Sequence, residues 1–261
     1  MAGVSLALGT PGWALAVDAL TFALSAAFLL RLRAPGLRTD RESAFVSELR
    51  HGWKEFSSRT WIWIIVLSAA VTNAIYFPAF QVLGPTVARD SLGGSSAWAL
   101  IAAAFGVGAV AGGVLALSIR PRRPLLVGEG SLLVFALPIA LLAGPSPLLV
   151  IALGALLAGV AVSLEIFYET MAAQYIPREA LSRVSAYDWF GSLALEPIGL
   201  ALVGPVAMGL GVSPTLWAAA AVLAICQTAV ILVPSVRRLE ARPQGQEGGA
   251  APLIPPYEPG D

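Results

Sequence analysis

Charge is scarce in this 261-residue chain. Only 12% of its residues are Asp, Glu, Lys or Arg, about half of the roughly 25% in an ordinary soluble domain. A water-exposed surface of the usual kind is therefore excluded for most of the molecule. Cysteine occurs once, at Cys226 within an apolar run, which excludes a disulfide framework and a cysteine-based metal centre. Histidine occurs once, at His51, so paired-histidine haem ligation is excluded. Lysine also occurs once, at Lys54. The net charge is zero, and nothing points to nucleic acid. The short apolar start Met1–Gly9 lacks a basic flank, so no signal peptide is expected there.

What is abundant is apolar surface, at 57% of residues. A helix needs about 20 apolar residues to cross a hydrocarbon core of roughly 30 Å. Seven runs qualify: Trp13–Leu32, Trp61–Leu83, Ser96–Ile119, Pro124–Ala143, Leu148–Gln174, Ala186–Leu210 and Pro214–Val233. Strict alternation of apolar and polar residues is absent, and an open strand would leave backbone groups unpaired in lipid, so these runs are expected to be helices. The fold class is an all-α membrane protein with seven transmembrane helices.

The gaps between the runs are alternately basic and bare. Arg31, Arg33, Arg38, Arg41, Arg50, Lys54 and Arg59 crowd the first, Arg120, Arg122 and Arg123 the third, Arg178 and Arg183 the fifth, and Arg237, Arg238 and Arg242 the tail. The remaining gaps hold only Arg89. Lys and Arg stay in cytoplasmic loops, which places the N-terminus outside and the C-terminus in the cytoplasm of a multi-pass cell-membrane protein. Trp13, Trp61, Trp63, Trp98, Tyr175, Trp189 and Trp217 lie near expected span ends, where interfacial aromatics belong.

The first gap, 33–60, is the one long internal loop. Phe45, Leu49, Trp53 and Phe56 recur in it at helical spacing among charges. Such a helix can lie on the cytoplasmic membrane surface or pack against the inner face of the bundle. Residues 61–233 form the six-helix bundle, residues 1–12 a remnant of a preceding helix with its outer loop, and 234–261 a cytoplasmic tail. Beyond Glu240 the tail is rich in Pro, Gly and Gln and is expected to be disordered.

Three stretches carry a family resemblance. Gly12-Trp13-Ala14-Leu15-Ala16-Val17-Asp18-Ala19-Leu20-Thr21-Phe22 with Leu30-Arg31-Leu32-Arg33 resembles the sixth transmembrane helix of major facilitator superfamily exporters, in the subgroup of siderophore and macrolide exporters. Glu48-Leu49-Arg50-His51-Gly52-Trp53 is similar to its central cytoplasmic loop. Tyr168-Glu169-Thr170, Ile176-Pro177-Arg178-Glu179-Ala180-Leu181-Ser182-Arg183-Val184, Tyr187-Asp188-Trp189 and Pro197-Ile198-Gly199 are similar to its junction of the tenth and eleventh helices. The resemblance implies helices six to twelve of a twelve-helix fold, with a missing amino-terminal half as a partner. It also implies proton-coupled efflux of a small hydrophobic or amphipathic compound, no cofactor, no metal and no enzymatic activity. In the family's cytoplasmic loop motif Gly112, Gly113, Arg120, Arg122 and Arg123 fit a gating role, while Ala116 and Leu117 stand where its acidic partner is expected.

An ionisable residue inside a span is costly, by about 2.5–3.5 kcal/mol on insertion scales, and is usually functional or interior-facing. Glu165 and Glu169 are four residues apart, hence on one helix face, with Tyr168 beside them. Glu165 lies about 15 Å from Tyr175 at 1.5 Å per residue, and Glu196 lies at a similar depth on the next span. Low dielectric disfavours a carboxylate relative to its acid, the property a proton-coupled exporter uses. Glu165 and Glu196 are thus proton-coupling candidates, or else make interhelical hydrogen bonds while protonated. Glu169 reads as a structural partner for Arg178 or Arg183, and Asp18 as a hydrogen-bonded structural residue near the outer end of its span. By resemblance the second span lines the substrate cavity, so Asn73, Tyr76 and Gln81 are candidate contacts, together with Tyr168. Packing around Pro78 is their structural alternative. Gly108 and Gly112 have the spacing of a close helix contact.

Other classes compete. A rhodopsin-like receptor needs an intramembrane lysine, and Lys54 lies in a loop. An intramembrane enzyme needs a nucleophile with a base, and no such pair lies in the spans. A membrane-inserted fragment without transport activity is the remaining alternative. Reporter fusions test the orientation. Those after Gly94, Ser146 and Gly211 are expected on the outer face, those after Glu42, Arg122 and Glu179 in the cytoplasm. A pattern that requires an even number of crossings overturns the assignment.

Overall fold

A computed structural model describes residues 11–31 and 43–241, with the side chains at 11–15, 43–49, 51, 178 and 179 excepted. The expected remnant before residue 11, the expected disordered tail beyond residue 241 and the side chains of Phe45, Leu49 and Arg178 lie outside the described residues. The described chain is helical throughout apart from short connections, and contains no strand. The helices are α1 (Pro11–Arg31), α2 (Ser43–Ser58), α3 (Thr60–Ser91), α4 (Ser95–Ser118), α5 (Pro124–Ala143), α6 (Leu148–Tyr175), α7 (Ala180–Leu210) and α8 (Val212–Leu232). The short turn α9 (Pro234–Arg237) follows. Among the described residues the six from α3 to α8 are long and apolar enough to cross a membrane. The protein is an all-α membrane protein. In α1 every described side chain from Ala16 to Arg31 is exposed, including Phe22, Phe28 and Leu30.

Close backbone approach sets the packing. The most extensive contact is between α4 and α6. A Cβ on Gly108 would collide with the Leu156 carbonyl, and one on Gly159 with the Phe105 carbonyl. Ser163 Oγ then donates to the Ala109 carbonyl at 2.7 Å. Small residues let two helices meet at backbone distance, and dispersion contacts replace the hydrophobic drive that lipid cannot supply.

The contact of α3 with α7 has a different cause. Pro78 has no N–H, so the Ala74 carbonyl loses its helical donor. The helix widens into a π turn at Ala79–Leu83, and Gly199 of α7 lies against the Ala74 carbonyl so closely that a Cβ there would overlap it. Helix α8 packs on α3, α5 and α7.

Helix α2 packs on the bundle. Gly52 and Phe56 are buried, a Cβ at Gly52 would stand 2.7 Å from Arg183 Cβ, and Trp53 meets Tyr187 of α7 edge-on at 5.4 Å. Of the two placements open to this amphipathic helix, the structure has the one against the bundle.

The buried residues divide into two apolar clusters. One gathers Tyr76, Phe80, Ile101, Phe135, Ile139 and Leu216; the other Trp61, Ile62, Ile65, Leu125, Met171 and Val230. Between the two clusters each of α3, α5, α6 and α8 carries polar side chains among apolar ones: Ser68 and Thr72, then Glu129, Glu165 and Gln227. Overpacking of a close contact costs about 1–3 kcal/mol. Gly108→Ala and Gly159→Ala are therefore expected to lower the unfolding midpoint of the purified protein in a thermal melt. Gly113→Ala, where a Cβ meets nothing within 4 Å, should leave it unchanged. Equal midpoints for all three contradict the packing account.

Candidate functional site

Two helices break where carboxylates stand. In α6 the α-helical pattern stops at Ser163 and resumes at Ile166. Across the break Leu164 and Glu165 donate to Ala161 and Val162, three residues back. In α7 it stops at Leu193 and resumes at Glu196, because Pro197 has no N–H for the Leu193 carbonyl and its ring crowds that oxygen. Short three-residue turns within a helix re-aim side chains and are frequent at functional hinges. Glu165 precedes the second segment of α6 without a side-chain cap hydrogen bond, and Glu196 stands in the first turn of that of α7.

Between α3, α6 and α7 lies a cavity of about 360 Å3. Asn73, Phe77 and Gln81 line it from α3, Glu165, Tyr168 and Glu169 from α6, and Asp188, Trp189, Ser192 and Glu196 from α7. No arginine, lysine or histidine is among its lining residues. Tyr168 donates to Asp188 Oδ2 at 2.9 Å, and Ser192 Oγ to Asp188 Oδ1 at 3.3 Å. Asn73 Nδ2 donates to the Ser192 carbonyl at 3.0 Å, one helix residue before the break. Tyr168 is in turn held by Trp61, edge-on at 6.0 Å. Glu169 and Gln81 are exposed at the mouth, and Glu165 and Glu196 are half-buried.

The structure thus brings Glu165, Glu196, Glu169, Tyr168, Asn73 and Gln81 to one cavity. Tyr76 is not in it. Its side chain is wholly buried, stacked on Phe135 at 4.2 Å and on Phe80 at 5.5 Å, and its hydroxyl has no hydrogen-bond partner among the described residues. At about 100° per residue, Tyr76 falls on one side of Asn73 and Gln81 on the other, so only one of the two can share the face. Asp18 is exposed on α1, where its carbonyl accepts from Thr21 Oγ1. Arg123 pairs with Glu240 at 3.6 Å, the Arg122 carbonyl accepts from Ala241 N–H, and Arg120 is exposed. These contacts tie the chain after α9 to the α4–α5 loop. They are solvent-exposed and contribute little on their own, about 0–1 kcal/mol. Arg183 stands beneath Gly52 of α2.

Two carboxyls that line this cavity or a small one beside it escape the sequence reading. Asp188 sits at the edge of its apolar run, and helix geometry alone aims it into the cavity. Glu129 was legible by the rule that selects Glu165, being a carboxyl inside an apolar run. It is 3% exposed. Gln227 Nε2 donates to its Oε2 at 2.9 Å and to its backbone carbonyl at 2.9 Å, while Ser68 Oγ donates to Gln227 Oε1 at 3.1 Å.

A larger hollow, of about 770 Å3, opens at the opposite end of the bundle among the connections that hold Ser91, Gly144 and Val212. Its one ionisable lining residue is Asp90, engaged by Arg89 at 3.0 Å. Its lone carboxyl is already paired, so the smaller cavity, lined by four carboxyls, is the candidate site. Among the described residues no group of His, Cys, Asp and Glu side chains is arranged to hold a metal.

Comparison with known proteins gives one match. The sequence model of the Major Facilitator Superfamily matches residues 1–194. No curated protein and no solved structure matches the chain.

Proposed function

We propose a transport mechanism from a plain premise: the chain belongs to the Major Facilitator Superfamily. Members of this family are membrane transporters, and six membrane-length helices fit that role. The finer reading is proton-coupled efflux of a small hydrophobic or amphipathic compound across the cell membrane, as in the siderophore and macrolide exporters the sequence resembles. Helix α1 supplies a seventh crossing, with the N-terminus outside and the C-terminus in the cytoplasm.

One observation carries this reading: four carboxyls, Glu165, Glu169, Asp188 and Glu196, line a single cavity with no basic residue among its described lining residues. Ionised together in an apolar slab they would repel one another and lack solvation. Protons are the ready neutralising agent, and their loss recharges the site. Phe77 and Trp189 give the same cavity an apolar wall, as small-molecule sites require. In this fold substrate binds at the interface of two helical halves. The cavity lies beside a largely exposed face of α7 that presents Trp189, Phe190 and Leu193, the surface an amino-terminal half would cover.

The test is transport in vesicles that contain this chain together with an amino-terminal half. If Glu165 or Glu196 couples protons, its change to Gln reduces proton-driven uphill efflux to background and leaves downhill exchange intact. If both serve structure alone, Gln keeps their shape and polarity and uphill efflux survives, whereas Ala lowers the yield of folded protein. Full uphill efflux in both Glu165→Gln and Glu196→Gln eliminates them as the carriers.

A further inference from the structure

Beside the main cavity lies a much smaller one, of about 20 Å3, in the polar layer between the two apolar clusters. Ser68, Thr72 and Asn73 of α3, Glu129 of α5 and Glu165 of α6 line it. A water needs roughly 10–15 Å3 of such space and two to four polar partners. This volume therefore accepts one water and no substrate. Thr72 is 6% exposed and lines this cavity; its hydroxyl is not among the fully enclosed, unpartnered ones, which are those of Tyr76 and Ser235, and it makes no hydrogen bond with a described residue. Buried hydroxyls are nearly always paired, with protein or with ordered water, so a group that lacks a protein partner beside a water-sized cavity points to its occupant. Glu165 and Asn73 line both cavities, so the small one adjoins the large one through them.

We propose that this cavity holds one ordered water shared by Thr72, Glu129 and Glu165, and that Glu129 is thereby a second proton-exchanging carboxyl served from the main cavity. The inference rests on the reading of the main cavity as a proton-exchanging site. Gln227 fixes Glu129 in place. Its amide donates to both the carboxylate and the carbonyl of Glu129, and its own oxygen accepts from Ser68. Among the described residues the charges that act on Glu129 are acidic: Glu165 from α6 and Asp188 from α7. From α8 come the neutral Gln227 and, against Ser68 at 3.6 Å, Cys226.

The transfer step balances. A proton leaves Glu165 for the water oxygen as a proton of that water leaves for a Glu129 oxygen. A carboxylate remains at 165, an acid at 129 and a neutral water between them. The charge of the pair is unchanged.

Infrared difference spectroscopy of the purified full chain in lipid, acid against alkaline buffer and in H2O against D2O, tests this. The wild type is expected to show separate carboxylic-acid carbonyl bands for Glu129 and Glu165. Glu129→Gln removes one of them, and Glu165→Gln removes the other and slows deuteration of the Glu129 band. Thr72→Val, which keeps the shape and deletes the hydroxyl, retains the Glu129 band but slows its deuteration. Should Glu129→Gln fail to fold, the comparison of Thr72→Val with wild type decides alone. The proposal is overturned if Glu129→Gln leaves every acid band in place, or if Thr72→Val deuterates as fast as wild type. It is overturned equally if sodium, replacing choline at constant pH, bleaches the Glu129 band, which would make the occupant a cation. These bands report protonation without transport. Loss of proton-driven efflux with the Glu129 band intact defeats the transport reading alone, and the converse result defeats this proposal alone.

Discussion

A carboxylate inside an apolar slab must be paired, hydrated or protonated, and the interior of this bundle is arranged around that constraint. Glu129 is 3% exposed and meets no arginine or lysine among the described residues. Its support is an amide, Gln227, which is itself held by Ser68. Hydrogen bonds to a charged group contribute about 1.5–3 kcal/mol each, while removal of one partner leaves the other buried and unsatisfied. Gln227 is therefore tied to Glu129 more tightly than its neutral side chain indicates. Ser68, Gln227 and Glu129, from α3, α8 and α5, are joined by these bonds, Thr72 and Glu165 lie beside them around the small cavity, and apolar clusters flank the group on either side.

The helix breaks belong to the same arrangement. Unbroken helices would leave no backbone irregularity at the depth of Glu165 and Glu196. The turns at Leu164–Glu165 and Ala194–Leu195 instead place both carboxylates at the start of a new helical segment. Irregular backbone in a membrane is tolerated where it lines a cavity or is buried in protein, and here the breaks flank the 360 Å3 cavity. Pro78 and Gly199 do similar work between α3 and α7. The proline frees a carbonyl, and the glycine lets the neighbouring helix cover it. Close contacts such as Gly108 and Gly159 fix α4 against α6, while α3, α6 and α7 wall the site.

Much of this was legible in the sequence. Long apolar runs are strong signals because no soluble fold needs them, and the helices α3 to α8 lie where the runs lie. Glu165 and Glu196 stand out because carboxyls within such runs are rare. Glu129 obeys the same rule and was passed over, a failure of application and not of principle. Tyr76 was legible too, since ordinary helical spacing already parts it from Gln81. Asp188 was less accessible, because its place depends on which helices face one another across the cavity, and periodicity does not encode that. The placement of α2 depended on Gly52 meeting Arg183, more than a hundred residues away, a contact that no local pattern encodes.

The central claim is that the carboxyl-lined cavity is wet, whereas the outward faces of the bundle meet lipid. The single native cysteine permits a direct measurement. In a Cys226→Ser background, Ser192→Cys places a thiol in the cavity wall, and Val110→Cys places one on the exposed face of α4. The account predicts that a small hydrophilic thiol reagent, added to the protein in bilayers, modifies position 192 and spares position 110. Equal inertness of the two positions would show a dry cavity and contradict it.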